Sequence, residues 1–164
     1  MSVPVVEIPL PTRHATRAFA ARVAPLLEPG DLVRLDGGLG SGKTFFTRAL
    51  LRELGVASSV AVTSPTFVLV TEYEVSRGTV LHADLYRLRE SAGASGEKLA
   101  REVSRLGLRE RRGEGAIVIV EWGDGAETAL GGEPALLIEL TTTGKNSRFA
   151  RAHGPIATHL AGPG

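Results

Sequence analysis

The stretch GGLGSGKT, residues Gly37–Thr44, constrains the fold of this chain more than any other segment. It matches the phosphate-binding pattern G-x-x-x-x-G-K-[ST] at every fixed position. Leu32, Val33 and Leu35 form a short apolar run before it, and apolar residues at helical spacing follow over Phe45–Leu54. A strand, a glycine-rich turn and a helix in this order present backbone N–H donors at a helix N-terminus. The sequence therefore predicts a nucleoside triphosphate site.

Two side chains at the end of this loop have expected roles in binding. Lys43 is expected to reach the β- and γ-phosphates, and the Thr44 hydroxyl is expected to bind Mg²⁺. Many enzymes and switches carry the same loop pattern. It therefore predicts a bound triphosphate and a metal ion, but not what the binding is for.

Composition narrows the class of protein. The chain has 164 residues, which suffices for one domain with its own core. It has no cysteine, which excludes disulfides, thiolate metal sites and thiol nucleophiles. A net charge of +1 predicts no overall attraction to nucleic acid. Because there is no apolar run of membrane length and no charged-then-apolar leader at Met1, we expect no association with membranes. The absence of cysteine is compatible with the cytosol, and we expect a cytoplasmic protein.

Two pairs of segments are expected to form antiparallel hairpins. The first joins Phe67–Val75 to Thr79–Leu85, and the second joins Leu136–Thr142 to Arg148–His153. Each pair consists of β-prone residues separated by a short turn that contains glycine. Antiparallel pairing is therefore expected to interrupt the usual alternation of strands and helices.

The remaining elements predict a layered α/β domain. Val3–Leu10 is expected to form an edge strand, since it has prolines near both ends and an edge position tolerates them. Thr12 is expected to cap the following helix. Ala116–Val120 is a continuous apolar run, which indicates a central strand buried on both faces. We predict an α/β fold, with a single P-loop NTPase-like three-layer domain over residues 1–154 and a mixed, partly antiparallel central sheet. Residues 155–164 are expected to form a flexible tail.

A phosphate-binding loop needs a carboxylate at the end of a neighbouring strand to complete its metal site. Glu121 ends the apolar run that begins at Ala116 and is the best candidate. It is expected to bind Mg²⁺ from the side opposite Thr44, directly or through water. The alternative is an ordinary acidic residue at a point where a strand leaves the core.

His82 and Asp84 lie two residues apart on a predicted strand, so their side chains face the same way. Asp84 is expected to polarise the attacking water or to join the outer shell of the metal ion. The alternative is a buried hydrogen bond between His82 and Asp84. For His82 the pattern does not distinguish a functional role from a structural one.

Three further residues have two interpretations each. Thr66 lies in a Ser-Pro-Thr segment between strands, where it either closes on the γ-phosphate and its metal or caps a turn locally. Trp122, the single tryptophan, either packs in the core or covers the mouth of the site, and packing is the more common role. Arg148 begins the last strand and either reaches phosphates as a charge clamp or touches only solvent.

Four motifs follow one another along the chain: the glycine loop, the SPTF stretch Ser64–Phe67, the HADLYR stretch His82–Arg87, and Glu121-Trp122 after an apolar run. In this order and spacing they resemble the bacterial TsaE family, small ATPases of the tRNA threonylcarbamoyladenosine pathway. The resemblance covers about Leu10–Ala152. The glycine loop alone fits many NTPases, whereas the other three motifs together make the resemblance specific.

The resemblance implies roles for individual residues, with ATP and Mg²⁺ as the ligands. Thr44 and Glu121 would bind the metal, whereas Lys43, Thr66 and Asp84 would act in catalysis. The residues that would bind the nucleotide are Pro11, Thr12, Gly38, Leu39, Gly40, Ser41, Gly42, Lys43, Thr44, Phe45, Trp122 and Arg148.

The resemblance also implies partners. The protein would join the TsaB–TsaD pair after TsaC has made the threonylcarbamoyl-adenylate intermediate, and it would meet tRNA only through that complex. ATP hydrolysis would reset the complex between turnovers. Members of the family are weak ATPases alone and depend on these partners for full activity.

The chain departs from the family pattern at several points. Gly38 stands where the family usually has aspartate, and Phe45 replaces a hydroxyl residue. The small-residue stretch Ser91–Gly96, expected to be a flexible loop, makes the chain longer than is usual between Arg87 and Leu106. These departures concern one side chain at the loop, the packing behind it, and the shape of the surface that would face the partners.

Three other classes of function use the same loop pattern. A small-molecule phosphotransferase would use the same ATP site, but the sequence shows no acceptor site and leaves SPTF unexplained. A GTPase is less consistent because no N-K-x-D motif for reading the base is present. A module that binds nucleotide without turnover is a third class, against which Asp84 argues.

Overall fold

The structure is a computed structural model that describes residues 4–63, 68–93 and 96–162. Seven strands in this part of the chain form one sheet. They are β1 (Val6–Leu10), β2 (Leu32–Asp36), β3 (Val70–Val75), β4 (Gly78–Asp84), β5 (Ile117–Glu121), β6 (Leu136–Thr142) and β7 (Arg148–His153). Their order across the sheet is β1-β7-β6-β2-β5-β4-β3. The predicted mixed sheet and the edge position of the first strand are confirmed.

Parallel pairing occupies the centre of the sheet. β2 pairs in parallel with both β5 and β6, and β4 pairs in parallel with β5. The outer pairs are antiparallel: β3 with β4, β6 with β7, and β1 with β7. Both predicted hairpins are therefore confirmed, although β3 begins at Val70 and Phe67 lies outside the described residues. Because parallel strands end at the same side of a sheet, the carboxyl ends of β2, β4 and β5 meet there.

Helices cover both faces of the sheet. The described α-helices are α1 (Arg13–Val23), α2 (Lys43–Leu54), α3 (Tyr86–Ala92), α4 (Gly96–Ser104) and α5 (Leu108–Gly113). Buried residues of α1 and α2 pack on one face, and buried residues of α3, α4 and α5 pack on the other. The chain thus has the predicted three layers.

The central strand β5 shows why its sequence does not alternate. Ile117 and Ile119 belong to the core beneath α1 and α2, whereas Val118 and Val120 belong to the core beneath the other helices. Every residue of β5 is buried, which confirms the prediction of a strand covered on both faces.

Local signals at the helix ends also agree with the structure. The Thr12 side chain accepts a hydrogen bond of 3.0 Å from the backbone N–H of Ala15 and so caps α1. Gly55 ends α2 in the left-handed conformation, with φ of 113°. Both caps are confirmed.

Two predicted loops differ from the structure. Ser91 and Ala92 belong to α3, and Ala92 is buried in the core beneath α3, α4 and α5. Residues 94 and 95 lie outside the described ranges. The flexible tail predicted for residues 155–164 is wrong for Pro155–Leu160, which form a 3₁₀ helix. Three apolar side chains of this helix are buried in the core beneath α1 and α2, and the Leu160 carbonyl accepts a 2.7 Å hydrogen bond from Arg22. Burial of apolar area therefore anchors the segment.

No helix in the described ranges is both long enough and apolar enough to cross a bilayer.

We expect Leu160→Ala to lower the free energy of unfolding by about 2–4 kcal/mol, because it leaves a cavity in a well-packed core. Leu160 is 2% exposed, whereas the neighbouring His159 is exposed. His159→Ala is the matched control and is expected to have almost no effect. Urea unfolding of both variants makes the measurement, and equal stability of the two would show that the segment is not anchored.

Candidate nucleotide and metal site

The candidate site lies where three parallel strands end side by side. In the strand register, Glu121 at the end of β5 is opposite both Leu35 of β2 and Asp84 at the end of β4. A cavity of about 560 Å³ opens at this edge. Its lining consists of residues 39–45 together with Asp84, Tyr86, Arg87, Glu90, Glu121 and Trp122. Most of the residues that the sequence singled out thus share one cavity.

The glycine loop between β2 and α2 makes turns that favour residues without a side chain. Gly37 has φ of 152° and Gly42 has φ of 98°. At Gly37 a side chain is also excluded by its neighbours. A Cβ atom would lie 2.4 Å from Ser41 Oγ and 2.7 Å from the Leu140 carbonyl oxygen. Gly38 is different, because a Cβ atom there meets no atom within 4 Å.

The Lys43 ammonium group is held inside the loop. Its Nζ donates to the carbonyl oxygens of Gly37 and Gly38 at 2.7 and 2.8 Å. The same atom lies 4.3 Å from the ring centroid of Trp122, a cation–π contact. Burial lowers the pKa of Lys43, and the charges of Glu121, Asp84 and Asp36 oppose that shift. A positive charge is thus placed next to the cavity, with acidic groups around it.

The Trp122 side chain completes this contact from the end of β5. Its backbone has φ of 61°, a left-handed conformation that is rare for a bulky residue. Its ring also lies 5.0 Å from that of Tyr86. Trp122 thus lines the cavity next to Lys43 and also packs against the core beneath α3, α4 and α5.

Thr44 and Glu121 meet directly. Thr44 Oγ1 donates to Glu121 Oε1 at 3.1 Å, although 77 positions separate them in sequence. Glu121 is 2% exposed, and its second oxygen, Oε2, lies 2.6 Å from His82 Nε2. A hydroxyl and a carboxylate are hard oxygen ligands, which Mg²⁺ prefers. The donor set at this point therefore fits a magnesium ion.

Asp84 faces the same cavity from the end of β4. Its Oδ1 accepts a hydrogen bond of 3.0 Å from the Tyr86 backbone N–H, which orients the carboxylate at the start of α3. The sequence interpretation that paired His82 with Asp84 is not what the structure has, because the His82 ring contacts Glu121.

Arg148 contacts the loop from outside. Its guanidinium donates to the carbonyl oxygens of Ser41 at 2.9 Å, Gly40 at 3.2 Å, Gly144 at 3.0 Å and Ser147 at 2.8 Å. The sequence offered a phosphate clamp or a solvent contact for this residue. The structure shows a third arrangement, in which the last hairpin is fastened to the glycine loop.

The other residues expected to bind the nucleotide do not line the main cavity. A second cavity of about 100 Å³ adjoins it at Gly42 and Phe45, and α1 contributes Arg13 and Thr16 to its lining. Pro11 and Thr12 are not among the residues lining either cavity, and Thr12 serves as the cap of α1. Gly38 contributes its carbonyl group, which binds Lys43. Thr66 lies outside the described residues, so its predicted position stays a prediction.

Comparison with known proteins identifies the family. A family model described as "Threonylcarbamoyl adenosine biosynthesis protein TsaE" matches residues 10–151. The chain belongs to the TsaE family. The extent of the match agrees with the span over which the motifs resemble that family, and the resemblance stated from sequence is confirmed.

Curated members of the TsaE family support this assignment. The chain is 37% identical to a Streptomyces coelicolor protein over 151 residues, covering 83% of this chain and 95% of that one. It is 44% identical to an Aquifex aeolicus protein over 82 residues, covering 50% of this chain and 62% of that one. Both relatives carry the name tRNA threonylcarbamoyladenosine biosynthesis protein TsaE. The Aquifex alignment, and one to a Rickettsia conorii relative at 59%, span less than two thirds of those proteins.

A solved structure supports the fold. The crystal structure of YdiB from Bacillus subtilis matches with a TM-score of 0.70 at 26% sequence identity. The match covers 98% of this chain and 92% of that one. The predicted P-loop NTPase-like α/β fold is thereby confirmed for this member of the TsaE family.

We expect Gly37→Ala to destabilise the folded loop by about 1–3 kcal/mol, because the new Cβ has no space and the backbone conformation is unfavourable. Gly38→Ala is the matched control, since its Cβ would enter open space. Thermal unfolding and a phosphate-analogue titration of both variants make the measurement. Equal behaviour of the two variants would contradict the loop geometry.

Proposed function

We propose that this protein is a Mg²⁺-dependent ATPase that acts with TsaB and TsaD in forming threonylcarbamoyladenosine in tRNA. The observation that carries the proposal is the direct contact between Thr44 and Glu121 beside the buried Lys43. Membership of the TsaE family and the pathway named for its relatives support the choice of pathway.

The residues of the loop would hold the triphosphate. Lys43 donates to two loop carbonyl groups, and it would exchange these contacts for phosphate oxygens because hydrogen bonds between an ammonium group and a charged oxygen are stronger. The start of α2 adds unpaired backbone donors and the positive end of a helix dipole. Thr44 and Glu121 would hold Mg²⁺, which when bound neutralises charge on the β- and γ-phosphates.

Asp84 is the residue that we assign to hydrolysis. It ends β4 next to Glu121 in the strand register and lines the main cavity, while the Tyr86 N–H orients its carboxylate. A carboxylate at this position can accept a proton from a water molecule or orient it for attack. Thr66 would complete the site as a hydroxyl near the γ-phosphate, in a segment that can respond to hydrolysis.

The test of the proposal is reconstitution with the two partners. ATP hydrolysis and tRNA modification are followed together after the protein is mixed with TsaB and TsaD. We expect hydrolysis to be weak for the protein alone and to rise in the mixture, together with modified tRNA. Transfer of phosphate to an added small acceptor, without any effect of the partners, would instead identify a phosphotransferase.

Glu121→Ala is expected to weaken the dependence of nucleotide binding on Mg²⁺ at least about tenfold, because it removes an oxygen ligand of the metal. Glu53→Ala changes an exposed acidic residue near the far end of α2 and serves as the control. Titration of a nonhydrolysable ATP analogue at several Mg²⁺ concentrations makes the measurement. A metal titration identical to that of the unmodified protein would rule out the ligand role.

Asp84→Ala is expected to leave ATP binding intact and to slow hydrolysis by about 10²-fold or more, as expected for loss of a general base. Glu90→Ala is the matched control because Glu90 is an exposed carboxylate that lines the same cavity. Single-turnover hydrolysis in the presence of both partners makes the measurement. Normal turnover by the Asp84 variant would contradict the assigned mechanism.

A further inference from the structure

His82 contacts the candidate metal ligand from a buried position that the proposed mechanism does not use. Its side chain is 0% exposed and is not among the residues that line the main cavity. It therefore has no direct access to a bound nucleotide. Its Nε2 atom lies 2.6 Å from Glu121 Oε2, the oxygen that Thr44 does not contact.

The strands explain why these two side chains meet. β4 and β5 are parallel neighbours, with His82 opposite Ile119 and Asp84 opposite Glu121. His82 and Asp84 lie two positions apart and so emerge on the same face of the sheet. That face is the one beneath α2, because Val80 and Ile119 belong to the core that α2 covers. The Glu121 carboxylate thus lies between a strand on one side and the start of α2 on the other.

The chemistry of the pair defines the position of one proton. An ionised carboxylate can only accept, so the imidazole must carry its proton on Nε2 to donate to Glu121. In the neutral ring the other nitrogen, Nδ1, is then an acceptor, and it has no hydrogen-bond partner among the described residues. Within the described chain, the contact to Glu121 is the polar contact that accounts for a histidine in this core.

We infer that His82 is a positioning residue, which fixes the Glu121 carboxylate so that Oε1 stays directed toward Thr44 and the Mg²⁺ position. The inference rests on the proposed function, because it assumes that Glu121 and Thr44 bind the metal. Donation to Oε2 restrains rotation of the carboxylate and leaves lone pairs of Oε1 for the cation. Partners of this kind orient metal ligands, and their loss typically costs about 10–100-fold in metal affinity.

Two amide substitutions separate this role from packing. Glutamine places its amide nitrogen near the position of histidine Nε2, whereas asparagine is one methylene shorter and does not reach Glu121. The measured quantity is the ratio of the dissociation constants of a nonhydrolysable ATP analogue in EDTA and in Mg²⁺, with Trp122 fluorescence as the signal. We expect H82N to reduce the ratio about tenfold or more, and H82Q to keep most of it.

Three further variants sharpen the measurement. In the Glu121→Ala background, H82N is expected to cause no further loss, because the two residues act through one contact. Leu81→Ala removes a buried side chain of the same strand from the opposite core, so it is expected to lower thermal stability and leave the ratio unchanged. H82A, which also lacks a donor within reach, replaces H82N if the asparagine variant does not fold.

The outcomes distinguish the inference from the proposed function. A wild-type ratio of one, or a ratio that Glu121→Ala does not change, would overturn the metal site and the inference together. If Glu121→Ala lowers the ratio but H82N does not, only the inference fails. Equal loss in H82N and H82Q, or additive loss in the double variant, would likewise assign His82 to packing.

Discussion

The contact between Thr44 and Glu121 is the interaction on which the arrangement of the site depends. Glu121 is almost fully buried, and a buried carboxylate is tolerated only when its oxygens have partners. Thr44, in the first turn of α2, supplies one partner at 3.1 Å, and His82 of β4 supplies the other at 2.6 Å. Satisfying this one group therefore fixes the start of α2 against the ends of two central strands.

Two cationic side chains bind carbonyl groups of the glycine loop, Lys43 from inside and Arg148 from outside. Lys43 binds the carbonyl oxygens of Gly37 and Gly38, and Arg148 binds those of Gly40 and Ser41. These contacts restrain the loop at four of its carbonyl groups.

Much of this structure follows from local sequence patterns. The uninterrupted apolar run of β5 predicted burial on both faces, and Thr12 and Gly55 predicted helix ends, because each signal is local. The motif and the strand ends also predicted that Thr44, Glu121 and Asp84 would lie at one edge, and the structure brings them together.

The partner of His82 was missed because it depends on the register between neighbouring strands, which the spacing within β4 does not contain. The anchoring of residues 155–160 was missed for a similar reason. The segment has few apolar residues, and their burial depends on distant parts of the chain that form the core around them.

The pairing of β1 with β7 affects the order in which parts of the chain can fold during synthesis. β1 has β7 as its neighbour, and β7 also supplies Arg148 to a loop that precedes it by more than 100 positions. During synthesis, the loop and α2 leave the ribosome long before β7 does, and domains generally fold as units. The glycine loop therefore acquires its outer support only after β7, more than 100 positions further along, has emerged. Nascent chains that end before β7 should consequently carry the complete motif but not the finished loop.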